Sequence, residues 1–381
     1  VFQNNLMGAA AAAASAGGGD FYSHQIAHSV RNNFDQNGTI LRTPGTPSST
    51  TTMTLSMWVQ RQTSFPYADG GASAGSKNLL FTSGSGSGYV FITTDGPGLT
   101  VEVGGVGYLI TNALLRDTNA WYHIVLRVDT TQGATANRLR FYINGVEPTY
   151  SDVTAQSISQ NAAFALLANG VVQGIGGVAG VGHTVIGTDT TFAEVVFNDG
   201  QSYGPDSYGE TKNGVWIPKD PSGLTFGNQG FYLNFASSGD LGNDVSGNNN
   251  DFTTANIATH DQILSSPTFN SDSNGGNFAT LGRLWANNST SLVLSEGNLR
   301  ATTLLNELGT MSNWAVPASG KWYWEVNYSD QANSSSNFLV GIAYAGASLT
   351  AVETADQVLY YSENGMKIVE GTRTAGYGTA F

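Results

Sequence analysis

The sequence predicts an all-β protein, with two antiparallel β-sandwiches in series behind a short N-terminal arm. Two observations carry that expectation. Of 381 residues, 48 are Gly and only 11% are charged, and Ser, Thr and Asn abound, a profile of short strands and tight turns rather than helices. Segment after segment also alternates apolar and polar residues with the period of two that a strand imposes.

Taken in order, residues 1–22 read as an arm. LMGAAAAAASAGGG is small and apolar, but no Lys or Arg precedes Arg31, so it does not read as a cleaved signal. Gly17-Gly18-Gly19 is a flexible hinge. In TTMTLSMWVQRQ, Met53, Leu55, Met57 and Val59 share one face, and Thr54, Ser56, Trp58 and Gln60 the other, so a strand with one buried face is expected. KNLLFTSG, YVFITTD, LTVEVGG and VGYLITN follow at close spacing, as a meander or sandwich requires.

WYHIVLRVDTTQGATANRLRFYINGV (121–146) holds two further strands around a polar turn. Tyr122, Ile124, Leu126 and Val128 make one apolar face, matched by Leu139, Phe141 and Ile143. Asn144-Gly145 supplies the positive φ angles of a type I′ turn, so a third strand is expected to fold back after it. Arg127, Arg138 and Arg140 are expected to point outward and keep the opposite face soluble.

W-Y-H-I-V-L-R-V-D, a polar turn, then R-L-R-F-Y-I-N-G-V resembles the paired strands of laminin G-like domains in the concanavalin A-like jelly-roll superfamily. HSVRNNFDQNGTILRTP (28–44) resembles that family's first strand pair, TTMTLSMWVQR its next strand and FAEVVFNDGQ (192–201) its late strand. GFYLNF and DVSGNNNDF (230–252), which usually open such a domain, come last here, so the leading strand is expected to close the sheet instead. The resemblance implies a jelly roll over 23–262, with QSYGPDSYGETKNGVWIPK (201–219) bridging its parts.

SSPTFNSDSNGGNF, within an expected linker over 263–280, combines Pro, Gly, Asn and Ser without periodicity. Beyond it, GKWYWEVNY (320–328), FLVGIAY (338–344) and VLYYSENGMKI (358–368) resemble strands of the SPRY domain. That implies a SPRY-like β-sandwich over 281–381. The chain stops at Phe381 before the family's later strands, so an incomplete module and a longer full-length chain are expected.

Charge and composition narrow the partners. A formal net charge of −13 repels phosphate backbones and anionic headgroups, which argues against nucleic acid. No apolar run is long enough to span a bilayer. Without Cys, disulfides, thiolate metal sites and a thiol nucleophile do not arise.

Catalytic signals are weak. The superfamily's hydrolases carry Glu-x-Asp-x-x-Glu on one strand, but no Glu here is followed by Asp two positions on. Glu102, Glu194 and Glu325 are isolated strand acids, expected to be solvated or hydrogen-bonded. No G-x-S-x-G elbow, phosphate-binding G-x-x-x-x-G-K loop or H-E-x-x-H helix is present. GVVQGIGGVAGVGH (170–183) reads as a strand-linking loop. His24 and His28 have the i, i+4 spacing of helical metal ligands, without a third ligand or a helical neighbourhood.

Two sets of residues are singled out for binding. Asp244, Ser246, Asn248 and Asp251 place oxygens at alternate positions of a Gly-containing loop, chemically suited to calcium. The ordinary alternative is an Asx-turn loop that satisfies its own backbone. Tyr67, Tyr203 and Tyr208 are expected to be loop aromatics that stack on sugars or fill a subunit interface. No other cofactor is expected.

Arm, laminin G-like jelly roll and SPRY-like module together resemble structural proteins of tailed, marine-type bacteriophages. That resemblance implies a non-enzymatic virion protein of the tail-fibre or head-fibre type, assembled in the host cytoplasm and commonly trimeric. Its arm would bind capsid, portal or tail, and its β modules a host surface glycan or protein. The alternatives are a capsid or tail decoration protein without a host ligand, and a secreted carbohydrate-binding or glycan-cleaving protein.

Overall fold

The computed structural model describes residues 21–32, 38–61, 79–84, 90–93, 99–103, 106–115, 120–152, 158–164, 166, 168–177, 190–269, 276–282, 292–295, 299–303, 309–312, 316, 321, 323–327, 338–344, 357–362 and 364–378. The expected arm therefore lies almost entirely outside the described residues. The chain divides into two compact units, Val1–Phe278 and Ala279–Phe381.

Described strands of the first unit are β1 (Ser29–Asn32), β2 (Thr39–Arg42), β3 (Thr52–Arg61), β4 (Leu79–Ser83), β5 (Val90–Thr93), β6 (Thr100–Val103), β7 (Val106–Thr111), β8 (Trp121–Asp129) and β9 (Leu139–Ile143). They continue with β10 (Tyr150–Asp152), β11 (Gln173–Ile175), β12 (Thr190–Asp199), β13 (Gly209–Lys212), β14 (Val215–Pro218), β15 (Phe231–Leu233), β16 (Thr253–Ala255) and β17 (Gln262–Ile263). Two antiparallel sheets face each other. The first runs β17-β1-β12-β3-β8-β9, with β15 also on β12; the second runs β10-β7-β6-β5-β4-β11-β2-β16. This is a concanavalin A-like sandwich, and the helical residues among those described form only short 3-10 turns.

The inner face follows the alternation. Met53, Leu55, Met57 and Val59 of β3, Ile124, Leu126 and Val128 of β8, and Leu139 and Phe141 of β9 join Ile40, Phe81, Val101 and Ile175 from the opposite sheet in one buried core. β4 to β7 form the expected meander. β15 and β16, from the late stretch, do complete the sandwich, one on each sheet.

Four local expectations are corrected. β1 and β2 do not pair with each other; β1 lies in the first sheet and β2 in the second. Asn144 and Gly145 do take positive φ, 48° and 80°, but only Ile143 and Val146 bridge after the turn, and the next strand, β10, joins β7 in the other sheet. Part of the expected 170–183 loop is β11, hydrogen-bonded between β4 and β2. Much of the expected linker belongs to the first unit: β17 pairs with β1, and Ser265, Ser266 and Thr268 are buried.

The largest correction concerns the outer face of the first sheet, which is covered rather than solvated. Thr54, Ser56, Trp58, Gln60, Trp121, His123 and Val125 are all buried. Their cover is the stretch after β12, where the β13–β14 hairpin turns at Asn213-Gly214 with φ of 52° and 82°. Of the three arginines, Arg138 is buried and spans the 129–138 turn by donating to the carbonyls of Gln132, Gly133 and Ile158. Arg127 donates to Ser202 Oγ at 2.6 Å, and Arg140 pairs with Glu147 at 2.8 Å.

In the second unit the described strands are β18 (Leu281–Gly282), β19 (Leu292–Ser295), β20 (Arg300–Thr303), β21 (Met311–Ser312), β22 (Leu339–Ala343), β23 (Gln357–Tyr361), β24 (Lys367–Val369) and β25 (Thr372–Thr374). β22 to β25 form one sheet; β18 pairs with β21 and β19 with β20. The expected 358–368 hairpin is present as β23–β24. The expected strand at 320–328 is not: residues 323–327 form no strand.

Candidate functional site

The loop singled out for calcium is closed by its own hydrogen bonds. Asp244 Oδ1 accepts from the backbone N–H of Tyr232 and Ser246 at 2.8 and 2.9 Å, and Oδ2 accepts from Ser246 Oγ and the Asn250 N–H at 2.8 and 2.9 Å. Asp251 Oδ1 accepts from the Asp244 N–H. Asn248 and Asn250 turn their amide nitrogens toward the carbonyls of Gly227, Asn228 and Gly230. A calcium cage needs free oxygens converging on one point. Donors surround these oxygens instead, so the residues do not fit the ion and the loop is of the Asx-turn kind.

A buried cation completes that corner. The Arg42 guanidinium lies 5.2 Å from the Phe231 ring centre and 5.4 Å from that of Phe252. It donates to the Gln229 carbonyl and side-chain oxygen at 2.9 and 3.1 Å. Burial pulls its pKa down to about 10, against the opposing pull of Asp244 and Asp199. Asp199 itself accepts from the N–H groups of Ser48, Ser49 and Gln229.

Tyr67 lies outside the described residues. Tyr203 is half-buried, and its hydroxyl accepts from the Thr225 N–H. Tyr208 is buried and donates to Asn198 Oδ1 at 2.6 Å, with its phenol pKa pushed up by desolvation. The two rings meet edge to face at 6.4 Å inside the cover of the first sheet, so Tyr208 is a packing residue and not a surface contact.

His123 sits at the centre of that covered face. Its ring lies 4.8 Å from Trp58 and 5.9 Å from Trp216. Trp216 Nε1 donates to His123 Nδ1 at 3.0 Å, and His123 Nε2 meets Ser56 Oγ at 2.8 Å. An indole nitrogen only donates, so Nδ1 must be the acceptor and the ring proton sits on Nε2. His123 therefore donates to Ser56 and cannot take its proton. Full burial pushes the imidazole pKa down to about 3, fixing the neutral form. This Ser–His pair is built as a structural node, with the reverse of the polarity that activates a serine nucleophile.

A second cluster forms where β12 is bulged. Ala193 pairs with Trp58 and Val196 with Ser56, so Glu194 and Val195 together oppose Met57 and the strand gains a residue. Phe192 and Val195 both reach the inner core, which leaves Ala193 and Glu194 consecutively outward. Glu194 takes a φ of 45°, a strained value for a residue with a β-carbon. Its Oε1 accepts from Tyr232 Oη at 2.6 Å and meets His24 Nε2 at 2.5 Å. Neither this cluster nor the His123 node was legible as a unit, because each joins residues far apart in sequence. His24 and His28 lie outside any helix, and His24 is engaged by Glu194.

All five buried acids on described residues are engaged by donors from their surroundings: Glu194, Asp199 and Asp244 as above, Asp129 by Thr131 and Gln132, and Asp261 by the Ala258 N–H. None is an open carboxylate facing a partner across a cleft. Among the described residues the most exposed aromatics lie in the second unit, at Tyr323 (82% exposed), Trp324 (51%), Tyr344 (71%) and Tyr377 (63%). Tyr323 donates to Glu325.

The two facing sheets define the class as a concanavalin A-like sandwich protein. Residues 35–179, less than half the chain, match the laminin G family model described as the concanavalin A-like lectin/glucanases superfamily. Among solved structures, the chain is similar to a putative carbohydrate binding protein from Bacteroides ovatus, at 15% identity and a TM-score of 0.42, covering 62% of this chain and 60% of that one. It is also similar to domain 4 of a GH43 extracellular arabinanase from Geobacillus stearothermophilus, in complex with arabinotriose, at 15% and 0.28, covering 42% and 65%. A third is the CBM40 of a Ruminococcus gnavus sialidase bound to α2,3-sialyllactose, at 15% and 0.25, covering 40% and 87%. The chain thus spans less than two thirds of the first two structures. The curated proteins contain no match.

Proposed function

We propose that this is a non-enzymatic adhesion protein of the virion-fibre type, in which the sandwich is a rigid scaffold and the second unit carries the contact with a surface glycan. The observation that carries this reading is the set of solvent-exposed aromatics at Tyr323, Trp324, Tyr344 and Tyr377. A pyranose ring has one face of C–H groups and a polar rim, and an exposed aromatic face beside hydrogen-bonding groups complements both. Support for a glycan-binding class also comes from the lectin/glucanase match of residues 35–179 in the first unit, and the buried acids among the described residues are each engaged by donors rather than set as an open pair.

The test is glycan binding by the full chain, compared with Trp324→Ala and Tyr323→Ala. Saturable binding weakened about tenfold or more by Trp324→Ala supports adhesion. A wild-type chain that binds no glycan on a broad array refutes it. Mass spectrometry of purified phage particles, with antibody labelling of residues 300–381, tests the virion assignment separately: label at an appendage tip supports a fibre, and label spread over the shell favours decoration.

A further inference from the structure

The chain before β1 runs as a strap, residues 21–28, over the outer layer of the first sheet. Ile26 is buried among Trp58, Trp121 and Ala193, with Trp216 alongside, and Tyr22 packs on Ile217. The Ile26 N–H donates to Thr268 Oγ1 at 2.9 Å, and that hydroxyl donates back to the Ile26 carbonyl at 3.1 Å. Ser23 donates to Glu210 at 2.9 Å. Between these anchors stands His24, 2.5 Å from Glu194, with side chains 19% and 6% exposed.

We propose that the strap is a pH-operated latch over the tryptophan box of Trp58, Trp121 and Trp216: protonated His24 clamps it to Glu194, and neutral His24 lets it loosen and wet the box. Glu194 is suited to the fixed half of such a latch. It is buried, set outward by the β12 bulge and held by the Tyr232 hydroxyl, so its position does not depend on His24.

The acids facing His24, Glu194 and Asp220, favour its charged form. β12 offers Glu194, and the loop after β14 offers Asp220, whose negative charge also acts on the ring. β15 offers Tyr232, kept neutral because desolvation pushes its pKa up. β13 offers Glu210, held by Ser23, and Lys212, which lies 5.6 Å over the Phe21 ring. Burial works against the imidazolium, but the hydrogen bond to Glu194 and the charges of Glu194 and Asp220 outweigh it, so the pKa of His24 stands above the ordinary histidine value. A raised folded pKa means the clamp is complete below about pH 6.5, the unfolded value, and is lost as pH rises through the folded one.

The test is amide exchange at Ile26 in the full chain at pH 6 and pH 9, corrected for intrinsic base catalysis, with tryptophan emission and with β3 amides reporting the whole sandwich. His24→Gln places an amide nitrogen near the position of Nε2, keeping the bond to Glu194 without the charge. The wild type should lose several-fold protection at Ile26 between the two pH values and shift its emission to the red, while β3 stays protected. His24→Gln should show the looser level at both. Flat wild-type protection overturns the latch, and so does an equal step in His24→Gln, because another group would then be titrating.

Discussion

Trp216 is seated on Gly145 so closely that a β-carbon on that glycine would lie 2.3 Å from Trp216 Cζ3. The turn that ends β9 and the hairpin that covers the first sheet are therefore fitted to each other, and the same indole carries the hydrogen bond to His123. Gly145 meets two demands at once, since its φ is also 80°. Gly145→Ala should cost about 2–4 kcal/mol, combining left-handed backbone strain with displacement of the indole. Denaturant midpoints would measure it, and a loss below ~1 kcal/mol would mean that the indole moves freely.

Trp216→Phe keeps much of the ring but removes its N–H, stranding His123 Nδ1 in a buried site. A loss of about 1–3 kcal/mol is expected. The double variant with His123→Leu should lose less than the two single changes summed, as a double-mutant cycle would reveal.

The two histidines titrate in opposite senses. His123 has a folded pKa near 3, well below its unfolded value. The unfolded chain therefore binds the extra proton between about pH 3 and 6.5, and stability falls there on acidification by roughly 1.4 kcal/mol per pH unit. His24 has a raised folded pKa, so its contribution is lost on the alkaline side. Stability measured against pH should peak near the ordinary histidine pKa. His123→Gln should flatten the acid limb and His24→Gln the alkaline one.

Asp244 should be indispensable to the 227–252 loops without serving as a metal ligand. Asp244→Asn keeps one acceptor but turns an amide N–H₂ toward groups that already donate, at a cost of about 2–4 kcal/mol. Millimolar calcium or a chelator should leave the melting temperature of the wild type unchanged. A calcium-dependent rise of several degrees would show that the loop rearranges around the ion.

Arg42→Met replaces a buried guanidinium by a side chain of similar length and leaves Asp199 and Asp244 without their neighbouring positive charge. A loss of about 3–5 kcal/mol is expected, read from thermal or denaturant unfolding.

The inner half of the first unit was legible because strand alternation reports one buried face, as Met53, Leu55, Met57 and Val59 illustrate. The outer half was not. Thr54, Ser56, Gln60 and His123 are polar, and polarity normally marks a solvated face; here Ser56 pairs with His123 while Thr54, Gln60 and His123 take partners from Gln201, Asn277 and Trp216, and no local pattern announces such a cover. The Asn213-Gly214 turn was a usable sign, equal in kind to Asn144-Gly145, that 209–218 forms a hairpin. The Glu194 bulge interrupts the alternation of FAEVVFND, where two outward residues in a row read as noise until Met57 is found opposite. In 323–327 Trp324 and Val326 alternate with Tyr323, Glu325 and Asn327 as in a strand, yet all five residues stand exposed and no ladder forms. The calcium-like spacing at 244–251 failed as a metal signal because the same oxygen-rich pattern satisfies backbone N–H groups equally well.

β12 shares one edge between two strands: β1 takes its beginning and β15 its end, on either side of Glu194. β1 needs β12 on one side and β17 on the other, so β1, made before every other described strand of the first unit, is among the last of them to find both neighbours. At ordinary elongation rates of about 5–20 residues per second, residues 29–32 wait some tens of seconds before residue 263 is made. Throughout that interval the apolar strands of the nascent chain have no complete sheet to join. Yield of soluble protein should therefore depend on chaperone supply and expression temperature more steeply than the stability of the finished sandwich would suggest.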